Sequence, residues 1–184
     1  VAAVTVTTAA MPRYLDGIGT VRAVHQVTVS PELVGRVVKI MFESGASVKA
    51  GDPLVQLNDE PEQADLATFK AQARLAEVTL SRNRKLANQQ YTAQQTVDQN
   101  ESDLAVAQAG ITHSQAVISQ KLVRAPFTGQ LGVRQIEVGQ FLNAGTPIVT
   151  LTDLDNLYVD FTLPEQARAD LTVGQAVEIR VYAF

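Results

Sequence analysis

The chain has 184 residues, 46% of them hydrophobic and 18% charged, with a formal net charge of -4 at pH 7 and no cysteine. That length fits one ordinary core or a few small modules in line, and no run of about 20 apolar residues is present to span a bilayer. The charge balance, without any basic stripe, excludes nucleic acid as the main partner, and the lack of cysteine excludes disulfides and thiolate metal sites within this stretch.

Residues 4–9 and 19–29 alternate in the manner of strands. The pattern starts at once, with no Met or leader before it, and residues 177–184 are strand-like again with nothing after them, so the sequence reads as a piece of a longer protein.

Residues 34–42 begin the first half of an internal repeat. At a constant offset of 94 residues Gly35 pairs with Gly129, Gly45 with Gly139 and Gly51 with Gly145. The same offset pairs Val48 with Leu142, Ala50 with Ala144, Pro53 with Pro147, Leu54 with Ile148, Val55 with Val149, Leu57 with Leu151 and Asp59 with Asp153. Each half reads as strands rich in β-branched residues, over 34–42 and 54–57 and over 130–138 and 148–151, separated by glycine turns. Two such halves can pack face to face as a small sandwich with pseudo-twofold symmetry.

Between Pro61 and Pro126 the strand punctuation disappears: there is no further proline and one glycine, Gly110. The insert reads as two helices. Asp59 as N-cap, Pro61 in the first turn and Glu62 at capping-box spacing mark the first start. Leu66, Phe69, Ala73, Ala76, Leu80, Asn83 and Ala87 then recur at alternating three and four residues, which defines one buried seam. The break falls at 88–91, and Thr92 with Gln95 gives a second capping box. Val97, Leu104, Ile111 and Ile118 follow seven apart, with Asn100, Ala107 and Ser114 between them. Acids at the first helix start (Glu60, Glu62, Asp65) and bases at its end (Arg82, Arg84, Lys85) agree with the helix macrodipole, and Asp98, Glu101 and Asp103 with Lys121 and Arg124 repeat that order in the second. About 28 residues per helix at about 1.5 Å rise makes an arm of roughly 42 Å. Beyond the second half-repeat, residues 157–163 and 176–181 alternate as strands and would join the N-terminal strands in one incomplete β-domain.

Glycines spaced ten and then six residues apart, followed by x-Pro and an apolar strand, resemble a biotinyl/lipoyl half-domain. A carrier domain of that type presents a modifiable lysine where its halves join, but here the helical hairpin occupies the junction and no Asp-Lys-Ala-like turn lies between Leu57 and Lys121. A split lipoyl domain with an inserted coiled-coil hairpin and flanking barrel strands resembles the HlyD-type membrane fusion family. Residues 139–166, GQFLNAGTPIVTLTDLDNLYVDFTLPEQ, are especially similar to adaptors of resistance-nodulation-division (RND) pumps.

The resemblance implies an α+β fold, mostly β with the inserted α-helical hairpin: a split biotinyl/lipoyl-like sandwich plus part of a β-barrel domain, elongated and multi-module. The expected modules are barrel strands from 1–26 and 153–184, the split sandwich from 27–59 and 122–152, and the hairpin from 60–121. It further implies a periplasmic adaptor that links an inner-membrane RND transporter to an outer-membrane TolC-like duct, self-associates into a ring of six, and is held to the inner membrane by a segment upstream of Val1. Neither enzymatic activity nor cofactor nor metal is expected. Family members carry Arg, three residues, Leu, six residues, Ser at the hairpin tip for docking to the duct. Here the positions hold Arg82, Leu86 and Ala93, so the third departs from the pattern and lacks the hydroxyl.

Two rivals stay open at this point: an adaptor of an ABC, major-facilitator or heavy-metal exporter, and a biotinyl/lipoyl carrier domain. Bland readings also stand beside the sharp ones. Arg82 and Leu86 read equally as a solvated charge and a packed leucine, and the heptad seam as an intramolecular coiled coil. His25 and His113 have no partner at helical ligand spacing, and Met11 and Met41 are too few for a thioether copper site. The acid pairs Glu60 with Glu62 and Asp153 with Asp155 fall where capping and turn formation account for them.

Overall fold

The computed structural model describes residues 14–89 and 93–180. Its strands in chain order are β1 (Gly19–Ala23), β2 (Gln26–Val29), β3 (Gly35–Ile40), β4 (Ser47–Val48) and β5 (Pro53–Leu57). Helices α1 (Glu60–Asn88) and α2 (Gln94–Gln120) follow, then β6 (Leu122–Arg124), β7 (Gly129–Leu131), β8 (Phe141–Leu142), β9 (Val149–Thr152) and β10 (Leu157–Phe161). A 3-10 helix at Glu165–Asp170 comes last. The fold is thus α+β, with most elements strands and two long helices inserted among them. The chain divides into two compact units, residues 25–156 and the flanks 1–24 with 157–184.

The larger unit realises the internal repeat as geometry. Its two antiparallel sheets run β2-β9-β7-β4 and β6-β5-β3-β8. Exchanging each strand for its mate 94 residues away converts one order into the other, so each sheet takes strands from both halves. The hydrogen bonds repeat as well. The Gly51 amide donates to Ala125 O at 2.8 Å and the Gly145 amide to Pro31 O at 2.9 Å. Val37 N to Gln140 O is matched by Leu131 N to Ala46 O, and Met41 N to Leu54 O by Gln135 N to Ile148 O. The paired turn glycines Gly45 and Gly139 take φ of 82° and 89°, a region that costs an L side chain strain.

The core between the sheets consists of repeat mates. Val29 lies with Val123, Val37 with Leu131, Leu54 with Ile148, Val55 with Val149 and Leu57 with Leu151, all buried. Each such side chain contributes about 1.5–3 kcal/mol by leaving water. The Val29/Val123 pair shows that the repeat begins six residues before Gly35, beyond the reach of the glycine pattern that reveals it in the sequence.

The helices fold back on each other along the expected seam. In α1, Leu66 and Leu80 are buried with Phe69, Ala73, Ala76, Asn83 and Ala87 half-buried, and in α2 Val97, Ala107 and Ser114 are buried with Asn100, Leu104, Ile111 and Ile118 half-buried. Gly110 lies against the ring of Phe69: a Cβ there would overlap it.

Several expectations are corrected. The first capping box does not form. Asp59 is the N-cap of α1 but its side chain does not cap, accepting instead from Gln63 Nε2 at 3.1 Å, while Glu62 turns inward to Lys121. A buried ammonium draws the carboxylate more strongly than an amide at a solvated helix end does. The N-cap of α2 is Ala93, in extended backbone with no side-chain cap; Thr92, expected in that role, lies outside the described residues. No acid stands in the first turn of α2, so the second macrodipole argument fails, and Arg124 belongs to β6 rather than to a helix end.

The alternating stretch 19–29 breaks in two, because β2 pairs with β9 in the sandwich. In the smaller unit β1 pairs antiparallel with β10 from Gly19 with Phe161 to Ala23 with Leu157. The strand expected over 176–181 is absent across 176–180, the described part, where no ladder partner is supplied among the described residues. Likewise only 130–131 of the expected 130–138 strand is regular, as the end of β7. The strand expected at 4–9 lies outside the described residues.

Candidate functional site at the hairpin tip

The end of the hairpin remote from the sandwich is built by the last three turns of α1 and the first turns of α2. Asn83 and Ala87 face the seam, which leaves Arg82 and Leu86, one turn apart, on outward positions. Arg82 is exposed and has no hydrogen bond or ion pair among the described residues, and Leu86 keeps 36% of its surface in water. Ala93 is exposed and opens α2. The structure therefore sets Arg82 and Leu86 together on one helix face and Ala93 across the turn, with residues 90–92 between the helices outside the described set.

What holds this end together is a pair that the sequence reading assigned only to a macrodipole. Arg84 Nη2 donates to Glu101 Oε1 at 2.8 Å, bridging the two helices. Opposite charges 17 residues apart are no local motif, so only the folded hairpin reveals them. With side chains 58% and 48% exposed, the bridge contributes a few tenths of a kcal/mol up to about 1 kcal/mol and serves mainly to fix register.

The base of the hairpin carries a second missed feature. Lys121 ends α2 with its side chain 11% exposed, donates to Val34 O at 3.0 Å and lies 3.3 Å from Glu62 Oε1. Glu62 Oε2 is buried with no hydrogen-bond partner. This triad ties both helix bases to the start of β3. Gly35 leaves it room, since a Cβ there would stand 3.3 Å from Leu57 Cβ and 3.5 Å from Lys121 Nζ.

At the other edge of the sandwich His25 Nδ1 lies 3.5 Å from Asp153 Oδ2. The Asp153 carboxyl titrates below its ordinary value, chiefly through the hydrogen bond from the Asn156 side chain and then that from the Asp155 amide. Among the described residues no group of three or more His, Asp or Glu is placed to hold a metal, and no helix is long and apolar enough to cross a membrane. What the tip offers chemically is a contact surface: one apolar side chain, one unpaired guanidinium and a small residue across the turn.

Comparison with known proteins gives a consistent result. Residues 25–154 match the family described as RND MFP, barrel-sandwich hybrid domain. The chain is 33% identical over 172 residues to the multidrug resistance protein MdtA of Proteus mirabilis, covering 85% of this chain and 42% of that protein. It is 35% identical over 181 residues to MdtA of Yersinia enterocolitica, covering 90% and 41%. The chain thus spans about two fifths of the length of these relatives. Among solved structures it resembles a MacA-MexA chimeric protein containing the Pseudomonas aeruginosa MexA α-hairpin, with a TM-score of 0.74 and 17% identity over 85% of this chain and 59% of that one. It also resembles the membrane fusion protein Spr0693 of Streptococcus pneumoniae, with a TM-score of 0.71 and 21% identity over 89% and 74%. At such identities these two likenesses speak for the fold alone.

Proposed function

The chain belongs to the RND membrane fusion proteins, and from that membership we propose that it is the central part of a periplasmic adaptor, bridging an inner-membrane RND transporter and an outer-membrane TolC-like duct for export of drugs or other small molecules. The observation that carries this reading is the family match across the interrupted sandwich, 25–154, supported by the likeness to proteins named for multidrug resistance. The match favours an RND partner over an ABC, major-facilitator or heavy-metal exporter. The carrier-domain reading loses its basis, because the junction that would present a modified lysine runs into α1 and α2 instead.

The role is mechanical rather than enzymatic. We assign three modules to it: barrel strands (1–26, 153–184), split sandwich (27–59, 122–152) and hairpin (60–121). The protein works in the periplasm, attached to the inner membrane by a segment upstream of Val1, and assembles as a ring of six. Arg82 and Leu86, with Ala93 across the turn, meet the duct. Covering the 36% of its surface that Leu86 still exposes contributes about 0.5–1 kcal/mol, and the guanidinium adds a charged hydrogen bond to duct carbonyls or carboxylates.

The test is a resistance assay on the full-length protein in a strain lacking other adaptors. Arg82→Glu and Leu86→Asp abolish resistance while expression and co-purification with the inner-membrane transporter persist. Full resistance in both variants removes the docking role, and failure of the unmodified protein to co-purify with any RND transporter removes the adaptor reading itself.

A further inference from the structure

Both crossings between sandwich and hairpin are short. Asn58 and Asp59 lead from β5 into α1, and Lys121 alone leads from α2 into β6. Lys121 is bonded into both bodies at once. Its amide donates to Val117 O at 3.1 Å in the last turn of α2, and its carbonyl accepts from the Leu57 amide of β5 at 2.9 Å. Its side chain reaches further, donating to Val34 O at 3.0 Å just before β3 and lying 3.3 Å from Glu62 Oε1 in the first turn of α1.

The pseudo-twofold supplies an internal comparison. The sandwich has a second exit, built from the mates of the first at the same offset of 94 residues: Leu151 for Leu57, Thr128 for Val34, Gly129 for Gly35 and Val27 for Lys121. Val27 stands opposite Leu151 in the β2-β9 ladder and leaves 39% of its surface in water. The mate of Glu62 is Asn156, whose side chain donates to Asp153 Oδ2 at 2.9 Å. The charged contact at that exit, His25 with Asp153, has an imidazole 64% exposed. The same backbone exit therefore forms with a valine and an amide, and a buried cation is no requirement of the sandwich.

Burying the pair is costly, because desolvating an ammonium and a carboxylate offsets most of their attraction, and apolar residues of similar volume hold such a place at least as well. What the pair adds over apolar packing is direction. Lys121 Nζ satisfies Val34 O and Glu62 in one arrangement of α1, α2 and β3, whereas apolar surfaces slide at little cost. Direction matters on a long lever: with 29 residues in α1 the arm is roughly 43 Å, so a tilt of about 7° at its base carries the tip about 5 Å, past the reach of a hydrogen bond.

We propose that Lys121 with Glu62 is a positioning pair that fixes the direction in which the hairpin leaves the sandwich and so aims Arg82 and Leu86. This deepens the adaptor reading and rests on it only for what the tip meets.

The test separates aiming from folding in the full-length protein. Glu62→Leu with Lys121→Met leaves no stranded charge, so helix and strand signals in circular dichroism stay as in the parent. Spin labels at Lys85→Cys towards the tip and at Val38→Cys or Val133→Cys on the sandwich sit at exposed positions, and the 184 residues hold no cysteine of their own. Any cysteine elsewhere in the full-length protein is replaced by serine. Pulsed electron paramagnetic resonance then reads the direction of the arm. In the double variant at least one of the two distances shifts, or its distribution widens, by about 5 Å, and resistance in cells lacking other adaptors is lost. Val149→Ala, which weakens the core and leaves the joint alone, keeps the parent distances. Glu62→Gln, which leaves the Lys121 bond to Val34 O in place, widens them less. Parent-like distances in a folded double variant overturn the proposal, and so do parent-like distances in Glu62→Gln where only that variant folds. Widened distances with full resistance uphold the joint and count instead against docking through Arg82 and Leu86.

Discussion

Lys121→Met removes the cation at the joint between hairpin and sandwich and leaves three consequences that can be sized. Glu62, 22% exposed at its side chain, loses the ammonium 3.3 Å away while its Oε2 already lacks a partner. Val34 O loses a charged hydrogen bond of 3.0 Å. Methionine refills most of the space, so little cavity term enters. Removing one partner of a buried pair costs about 3–5 kcal/mol, and the residual exposure of Glu62 places this case near about 2–3 kcal/mol. Adding Glu62→Leu removes the stranded carboxylate and returns much of that loss, to within about 1 kcal/mol of the parent, because only the Val34 carbonyl is left without its donor. Urea unfolding followed by circular dichroism at the helix minimum and by a probe in the sandwich gives both values. A Lys121→Met variant within about 0.5 kcal/mol of the parent, or a double variant less stable than the single, refutes the view that this pair holds the joint.

Gly110→Ala drives a methyl into the Phe69 ring and costs about 1–2 kcal/mol net, since overpacking of about 1–3 kcal/mol is partly offset by alanine's better helix propensity; Phe69→Leu in the same chain relieves it, as thermal unfolding will show. Leu104→Asp places a charge in the seam and lowers hairpin stability by about 3 kcal/mol; circular dichroism loses helix signal and keeps β signal, whereas loss of both would show that hairpin and sandwich fold as one. Asp153 holds its proton less tightly when folded than when unfolded, so its stabilising contribution is complete above the ordinary carboxylate pKa and disappears as pH falls through the lower folded value. Unfolding measured across that acid range becomes shallower in pH dependence in Asp153→Asn, and an unchanged slope rules the contribution out.

The repeat and the hairpin seam were legible in the sequence because both rest on backbone geometry that few residue types satisfy. Gly45 and Gly139 are needed where φ is positive, and apolar residues at alternating three and four must share one helix face. Arg82 and Leu86 were likewise assignable to the outward face before Asn88, since the seam residues Asn83 and Ala87 exclude the inward one. Terminal detail was less legible. Asp59 and Glu62 have capping-box spacing, but Glu62 had a stronger partner 59 residues away that no local pattern displays.

Sequence by itself therefore determined the pseudo-twofold sandwich, the inserted hairpin and the residues lining its seam, all consequences of periodicity and of conformations reserved to glycine. Tertiary structure alone decided that the two halves exchange strands, with β4 on β7 and β8 on β3, because local pattern specifies a strand but not its neighbour. It alone decided that 176–180 forms no strand, since an extended segment becomes one only when another supplies its hydrogen bonds. The pairs Arg84 with Glu101 and Lys121 with Glu62 belong to the same class: charges distant in sequence whose energies depend on a separation and a burial that only the folded chain sets.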